Sequence, residues 1–136
     1  MDLAEAIATF QDACPVAFLA TCDVDCPRVR QVSPVAAEGT TVYVAAFVSS
    51  DKMAQLAANP NVELCYLRSD HTQLRLRGAM HVCEDPATRR RMWQHYPLMQ
   101  QYFPSADDPQ YALLELRVAR GLHAPPMSLD YQTLET

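Results

Sequence analysis

The sequence predicts a mainly β protein, with about six strands forming an antiparallel barrel and helices at its periphery. Three observations carry that expectation. Apolar, β-branched and aromatic residues gather in short runs bounded by turn-forming clusters. Most of those runs follow one another through short turns, not through the helical crossovers that a parallel sheet requires. The chain has 136 residues, so residues 1–136 are read as a single domain. A domain of this size buries roughly two-thirds of its unfolded surface.

The elements are justified in chain order. Asp2 and Glu5 have capping-box spacing, and Leu3, Ile7 and Phe10 share a helical face, so residues 2–12 read as a helix that Pro15 ends. Residues 16–22 are apolar on both alternating faces, as in a strand buried on two sides. Asp23 to Pro27 carry turn chemistry, and residues 28–35 resume as a strand. After Glu38-Gly39, residues 41–47 are rich in strand formers. Ser49 to Lys52 open a helix that runs to about Ala58, before Asn59-Pro60. Residues 62–68 and 72–83 read as two further strands. In the second, Leu74, Leu76, Met80 and Val82 form the apolar face, and Gln73, Arg75, Arg77 and His81 point away. Asp85 caps a helix with Pro86 at its first position. Residues 97–109 read as a connection, 111–118 as the last strand, and the tail after Arg120 as irregular.

Composition excludes several functions. Only Gly39, Gly78 and Gly121 are glycines, so neither a dinucleotide fingerprint nor a phosphate-binding Gly-rich loop can be written. A nucleophile elbow is excluded for the same reason. The formal charge of −5 argues against a nonspecific nucleic-acid partner. No apolar run approaches the roughly 20 residues of a membrane span. The acidic start, Met1 to Glu5, is unlike a basic signal peptide, and a cytoplasmic location is expected. The cysteines (Cys14, Cys22, Cys26, Cys65 and Cys83) read as buried, reduced thiols, because no second pair completes a zinc set with Cys22 and Cys26. His81 and Cys83 share a strand face, but two ligands do not make a site, so no metal is expected.

Chemistry concentrates elsewhere. The only lysine, Lys52, falls in the first turn of a helix with Ser50 as its N-cap. Free N–H groups and the helix dipole favour an anion there. On local sequence alone, an ordinary capped helix with a solvated lysine is the simpler reading. Arg28 and Arg30 share one strand face, as do Arg75 and Arg77. Each pair is either a solvated sheet face or part of a cationic cleft for a flat anionic ligand. Tyr66, Trp93, Tyr96, Tyr102 and Phe103 are available to flank a ring or to fill the core.

Three segments decide between these readings: FLATCDVDCPRVRQVSPV, TVYVAAFVSSDKMAQLAANPNVEL and QLRLRGAMHVCEDP. Their order and spacing resemble the pyridoxamine 5′-phosphate oxidase-like family of FMN-binding split barrels over roughly residues 2–118. SADDPQYALLEL looks most like the small stand-alone members, which are nitroimidazole-reductase-like or general-stress-protein-like. The resemblance implies a six-stranded antiparallel split β-barrel of Greek-key type, assembled as a homodimer with FMN in clefts at the subunit interface. It implies cofactor contacts from Arg30, Gln31, Val32 and Ser33 along the flavin, and from Ser50 and Lys52 at its phosphate. Gln73 would lie near the ring, and Ala46 occupies a phosphate-side position.

The chain departs from the family at named positions. Cys26 stands where glycine is common in the first hairpin, and a left-handed turn there would cost on the order of 1 kcal/mol. Ala46 replaces a hydroxyl-bearing residue, and Asp51 replaces an arginine. ARGLHAPPMSLDYQTLET does not match the substrate-binding segment of the full-length oxidases. The function implied is therefore an FMN-dependent oxidoreductase acting on a small molecule, without pyridoxamine-phosphate oxidation and with no catalytic side chain assigned. The alternatives are a flavin- or haem-binding sensor or storage module without turnover, and a deazaflavin-dependent reductase.

Overall fold

The computed structural model describes residues 1–135. The elements are α1 (Leu3–Ala13), β1 (Ala17–Asp23), β2 (Cys26–Val32), β3 (Pro34–Glu38), β4 (Thr41–Phe47) and α2 (Asp51–Ala58). They continue with β5 (Asn61–Leu67), β6 (Gln73–Val82), α3 (Pro86–His95), α4 (Pro97–Tyr102), β7 (Tyr111–Ala124) and β8 (Gln132–Glu135). The expected mainly β, antiparallel architecture with peripheral helices is what forms. The strands number eight rather than six, and they make one open sheet in the order β2-β1-β5-β6-β7-β4-β3, with β8 on β7.

Two differences account for the extra strands. The run 28–35, expected as one strand, divides at Ser33 into β2 and β3, which pair with β1 and β4 at opposite edges of the sheet. Pro34 has no N–H to continue a ladder, so the chain leaves one edge and begins the other there. Neighbouring Cα atoms are about 3.8 Å apart. The two edges are therefore brought together at Ser33 by the chain itself, and the sheet curls without closing. The second difference is the tail, expected to be irregular, where β7 extends to Ala124 and carries β8 beyond it. β8 has four residues and buries only Leu134, too short a pattern for periodicity to reveal. Similarly, the expected connection 97–109 contains the six-residue α4.

Two cores flank the sheet. Leu3, Ala6, Ile7 and Phe10 of α1 pack into the larger one with Leu64, Leu76 and Leu116. The capping box forms as expected, with Glu5 N–H donating to Asp2 Oδ1 at 2.8 Å and Asp2 N–H to Glu5 Oε2 at 3.2 Å. The smaller core unites Met92, Met99 and Phe103 beneath α3 and α4 with Val35, Tyr43 and Leu113 of the sheet. Val44 and Ala46 face the first core and Tyr43 the second, as strand alternation requires. On β6, Leu74, Leu76 and Met80 are buried as expected, but Val82, at the strand's end, is 43% exposed. Gly78 sits opposite a bulge of β7, where a Cβ would overlap the Arg117 carbonyl oxygen.

Candidate functional site at the sheet seam

The site is built around Arg30, which leaves β2 beside the seam. Its Nη1 donates to Thr21 Oγ1 at 2.7 Å and to the Leu19 carbonyl at 3.3 Å, and its Nη2 donates to Gln55 Oε1 at 2.6 Å. Thr21 Oγ1–H donates to the same Gln55 oxygen at 2.6 Å. The guanidinium is thus held by β1 and α2 through neutral acceptors. Arg28, on the same strand face, instead pairs with Asp23 at 3.3 Å. Burial pushes Arg30 below its ordinary pKa; the Asp51 carboxylate opposes the shift and the Arg28 charge adds to it.

Lys52 lies in the first turn of α2 and lines two adjoining cavities. One is a groove of about 820 Å³ that is also lined by Arg28, Arg30, Ser50 and Gln55 and by the carboxylates Asp23 and Asp51. The other is a cleft of about 240 Å³ against the seam. Burial, followed by the neighbouring Arg30 charge, lowers the Lys52 pKa. Neither Arg30 nor Lys52 has an ion pair among the described residues. Burial penalises both cations, and each has a positive neighbour, Arg28 beside Arg30 and Arg30 beside Lys52; an anion would relieve such a site. Ser50 holds the N-cap position but does not cap. Its Oγ donates back to the Phe47 carbonyl at 2.7 Å, so no side chain occupies the first-turn amides of α2.

The cleft has an apolar wall opposite the strand. Gln31, Val32 and Ser33 form one side; Phe47 from β4 and Leu98 and Tyr102 from α4 face them. Phe47 meets Tyr102 edge-on, with ring centroids 6.3 Å apart, and lies 5.1 Å from Phe103. Trp93 Nε1 donates to the Phe103 carbonyl at 2.9 Å, which ties α3 to the end of α4. A flat ring suits such a wall because aromatic faces and edges pack well at these separations.

The expected site residues separate into two groups. Arg30, Gln31, Val32, Ser33, Ser50 and Lys52 converge on the two adjoining cavities. Ala46 does not: its side chain turns into the main core, and its neighbours Ala45 and Phe47 line the cleft. Gln73 lies at the start of β6, where Oε1 accepts from Cys65 Sγ at 3.8 Å, and it lines neither cavity. Arg75 and Arg77 are not part of the cationic groove either; both are turned onto Glu63, at 3.0 and 2.7 Å. The left-handed turn residue is Val24 (φ 59°), not Cys26, which is already paired in β2. Of the five cysteines, only Cys14 and Cys83 are buried.

Thr21, Gln55, Phe47, Leu98 and Met99 were not foreseen. Gln55 is three residues after Lys52, hence on the same helical face, and that spacing was the available signal for it. Thr21 is a 2%-exposed hydroxyl in a strand that is apolar from Ala17 to Ala20. A buried hydroxyl needs a partner, and that requirement was the clue to the network.

A single curled antiparallel sheet with peripheral helices, divided at one seam, defines a split-barrel architecture. The chain belongs to the pyridoxamine 5′-phosphate oxidase family, whose sequence profile matches residues 3–123. Comparison with curated proteins finds no match. Among solved structures it is similar to a NimC/NimA family protein from Clostridium acetobutylicum, with 22% identity and a TM-score of 0.85 over 98% of this chain and 92% of that one. It is also similar to a pyridoxamine 5′-phosphate oxidase-related, FMN-binding protein from Nostoc punctiforme, with 18% identity and a TM-score of 0.76 over 98% and 91% of the two chains. A haem-binding protein from Mycobacterium smegmatis shares 18% identity with a TM-score of 0.78, covering 97% of this chain and 57% of that one. At these identities the likeness is one of fold.

Proposed function

We propose that the protein binds FMN at the seam and acts as an oxidoreductase toward a small molecule. The observation that carries this reading is the pairing of Arg30 and Lys52, two partly buried cations without an ion pair among the described residues, where the larger groove meets a cleft lined by Phe47, Leu98 and Tyr102. The donor set fits a phosphate: a guanidinium fork, an ammonium and uncapped helix amides. The cleft beside it supplies the flat apolar wall that a ring needs. When bound, FMN supplies electron transfer at its own ring. The chain's own residues would then bind and orient. Arg30 and Lys52 neutralise the phosphate, the strand around Gln31 to Ser33 lies along the ring, and Phe47 and Tyr102 limit solvent access on the far side.

A homodimer belongs to the same reading. Phe18, Val29 and Leu67 lie on one outer face of β1, β2 and β5, and Val29 is 72% exposed. Gln73, which lies away from the cavities of its own protomer, would reach a ring only across such an interface.

The test is the absorption spectrum of protein purified without added cofactor, followed by FMN titration. Flavin bands, or quenching of FMN fluorescence on titration, are expected. Colourless protein that leaves FMN fluorescence unchanged would sink the proposal. The second reading is haem binding, favoured by the M. smegmatis neighbour. Its propionates would seek the same two cations, and a haem Soret band in place of flavin bands would establish it. Bound flavin that no nicotinamide donor reduces would point to a sensor or storage role, and competition with a deazaflavin tests the remaining alternative.

A further inference from the structure

We infer that Gln55 and Thr21 are positioning residues that aim the Arg30 guanidinium at the ligand's phosphate while leaving it without a direct ion pair. The inference rests on the reading of the groove as a phosphate site and deepens it. Gln55 Oε1 accepts at 2.6 Å from both Arg30 Nη2 and Thr21 Oγ1, and Thr21 Oγ1 accepts at 2.7 Å from Arg30 Nη1. The three side chains close a ring of hydrogen bonds between β1, β2 and α2. No acceptor in that ring is ionised.

That neutrality is the point. The same protein shows the other solution on β6, where Arg75 and Arg77 both donate to the Glu63 carboxylate, so each guanidinium is held by an ionised partner. A glutamate at position 55 would have the same length as glutamine and would pair with Arg30 directly. The amide instead fixes the guanidinium's orientation through dipoles, which reduces the ordering cost of binding. The full cationic charge remains available for a charge-assisted contact. Thr21 is 2% exposed and supplies the second anchor from inside the sheet. Thr21 Oγ1 and the Leu19 carbonyl of β1 take both Nη1 hydrogens and Gln55 Oε1 of α2 takes one from Nη2, which leaves Nε–H and one Nη2–H to donate to a ligand.

The test compares FMN with riboflavin, which has the same ring and ribityl chain but no phosphate. Affinities of the full chain are measured by fluorescence quenching for wild type, Gln55→Glu, Thr21→Val and Thr21→Ser, with thermal unfolding as the check on folding. Gln55→Glu is expected to lose about tenfold or more in FMN affinity, the scale of one charge-assisted contact, with riboflavin affinity unchanged. Thr21→Val should lose FMN selectively, and Thr21→Ser should restore it. Equal losses for both ligands would mean that Gln55 supports the fold alone, and unchanged FMN affinity would mean that Arg30 needs no aiming; either overturns the inference. If wild type binds flavin but does not prefer FMN to riboflavin, the groove is not a phosphate site and the inference falls with it. If wild type binds neither, the flavin reading itself fails.

Discussion

Lys52 is the side chain on which binding is most directly tested. Lys52→Ala should weaken FMN binding by about 1–3 kcal/mol, the loss of one charge-assisted contact, read from titration of the purified protein. Its importance was legible because the chain has no other lysine and a helix start is recognisable from local residues. The partners of Arg30 were not, because Gln55 and Thr21 reach it across 25 and 9 residues of chain. The orientation of Ala46 was hidden for a related reason: homologous position says which strand a residue is on, but alternation along β4 decides which face its side chain takes. Glu63 gives a second residue-level outcome. Burial alone would raise its pKa, but hydrogen bonds from Arg77 and Arg75, with their charges, outweigh that and hold the carboxyl below its ordinary value. A group depressed in the folded state adds stability above its unfolded pKa and loses it as pH falls through the folded one. Glu63→Gln should therefore be less stable than wild type at neutral pH. In urea titrations the difference should vanish as pH falls well below about 4.

Elements follow local rules wherever those rules are strong. The capping box of α1 and the Asp85-Pro86 start of α3 form as read, because each is specified within a few residues. The seam between β2 and β3 was hidden because Pro34 breaks a run whose alternation otherwise continues. The hairpin between β1 and β2 carries a local conflict: Val24 is β-branched, 97% exposed and held at φ 59°. Asparagine tolerates that region better, so Val24→Asn should stabilise the protein by about 1 kcal/mol, measured as a shift in denaturant midpoint at constant slope. At Gly78 the conflict runs the other way. Gly78→Ala has no room beside Arg117 and should destabilise the protein by pushing β6 from β7. The brace between α3 and β7 joins residues 22 apart in the chain. Arg89 lies over the Tyr111 ring at 4.3 Å and donates to its carbonyl at 3.1 Å, while Tyr111 Oη donates to the Arg89 carbonyl at 3.1 Å. Burial pushes the Tyr111 hydroxyl up to about 12, against the Arg89 charge. A raised phenol stabilises the fold below its unfolded value near 10 and ceases to do so as pH climbs through the folded one. The stability difference between wild type and Tyr111→Phe, read from denaturant midpoints, should therefore change as pH rises from about 10 towards about 12.

For the whole molecule, the antiparallel class was readable because turn chemistry and alternation repeat along the chain, and the evidence accumulates over many residues. Strand order was not, since nothing local says that β2 and β3 occupy opposite edges. The homodimer proposed above predicts a scattering mass near twice the 15.2 kDa of one chain. A monomer carrying bound FMN would contradict the interface model. The join at Ser33 has a thermodynamic corollary. Among the described residues no ladder of backbone hydrogen bonds pairs the first and last strands of the order, so the two lips of the sheet are joined by the chain at Ser33 and by side-chain packing without a strand–strand rung. A molecule lodged along both lips would serve as the missing rung. Under this view the apoprotein's melting temperature should rise steadily with FMN concentration, by the equivalent of about 2.7 kcal/mol at a hundredfold excess over Kd. Riboflavin should produce a smaller rise.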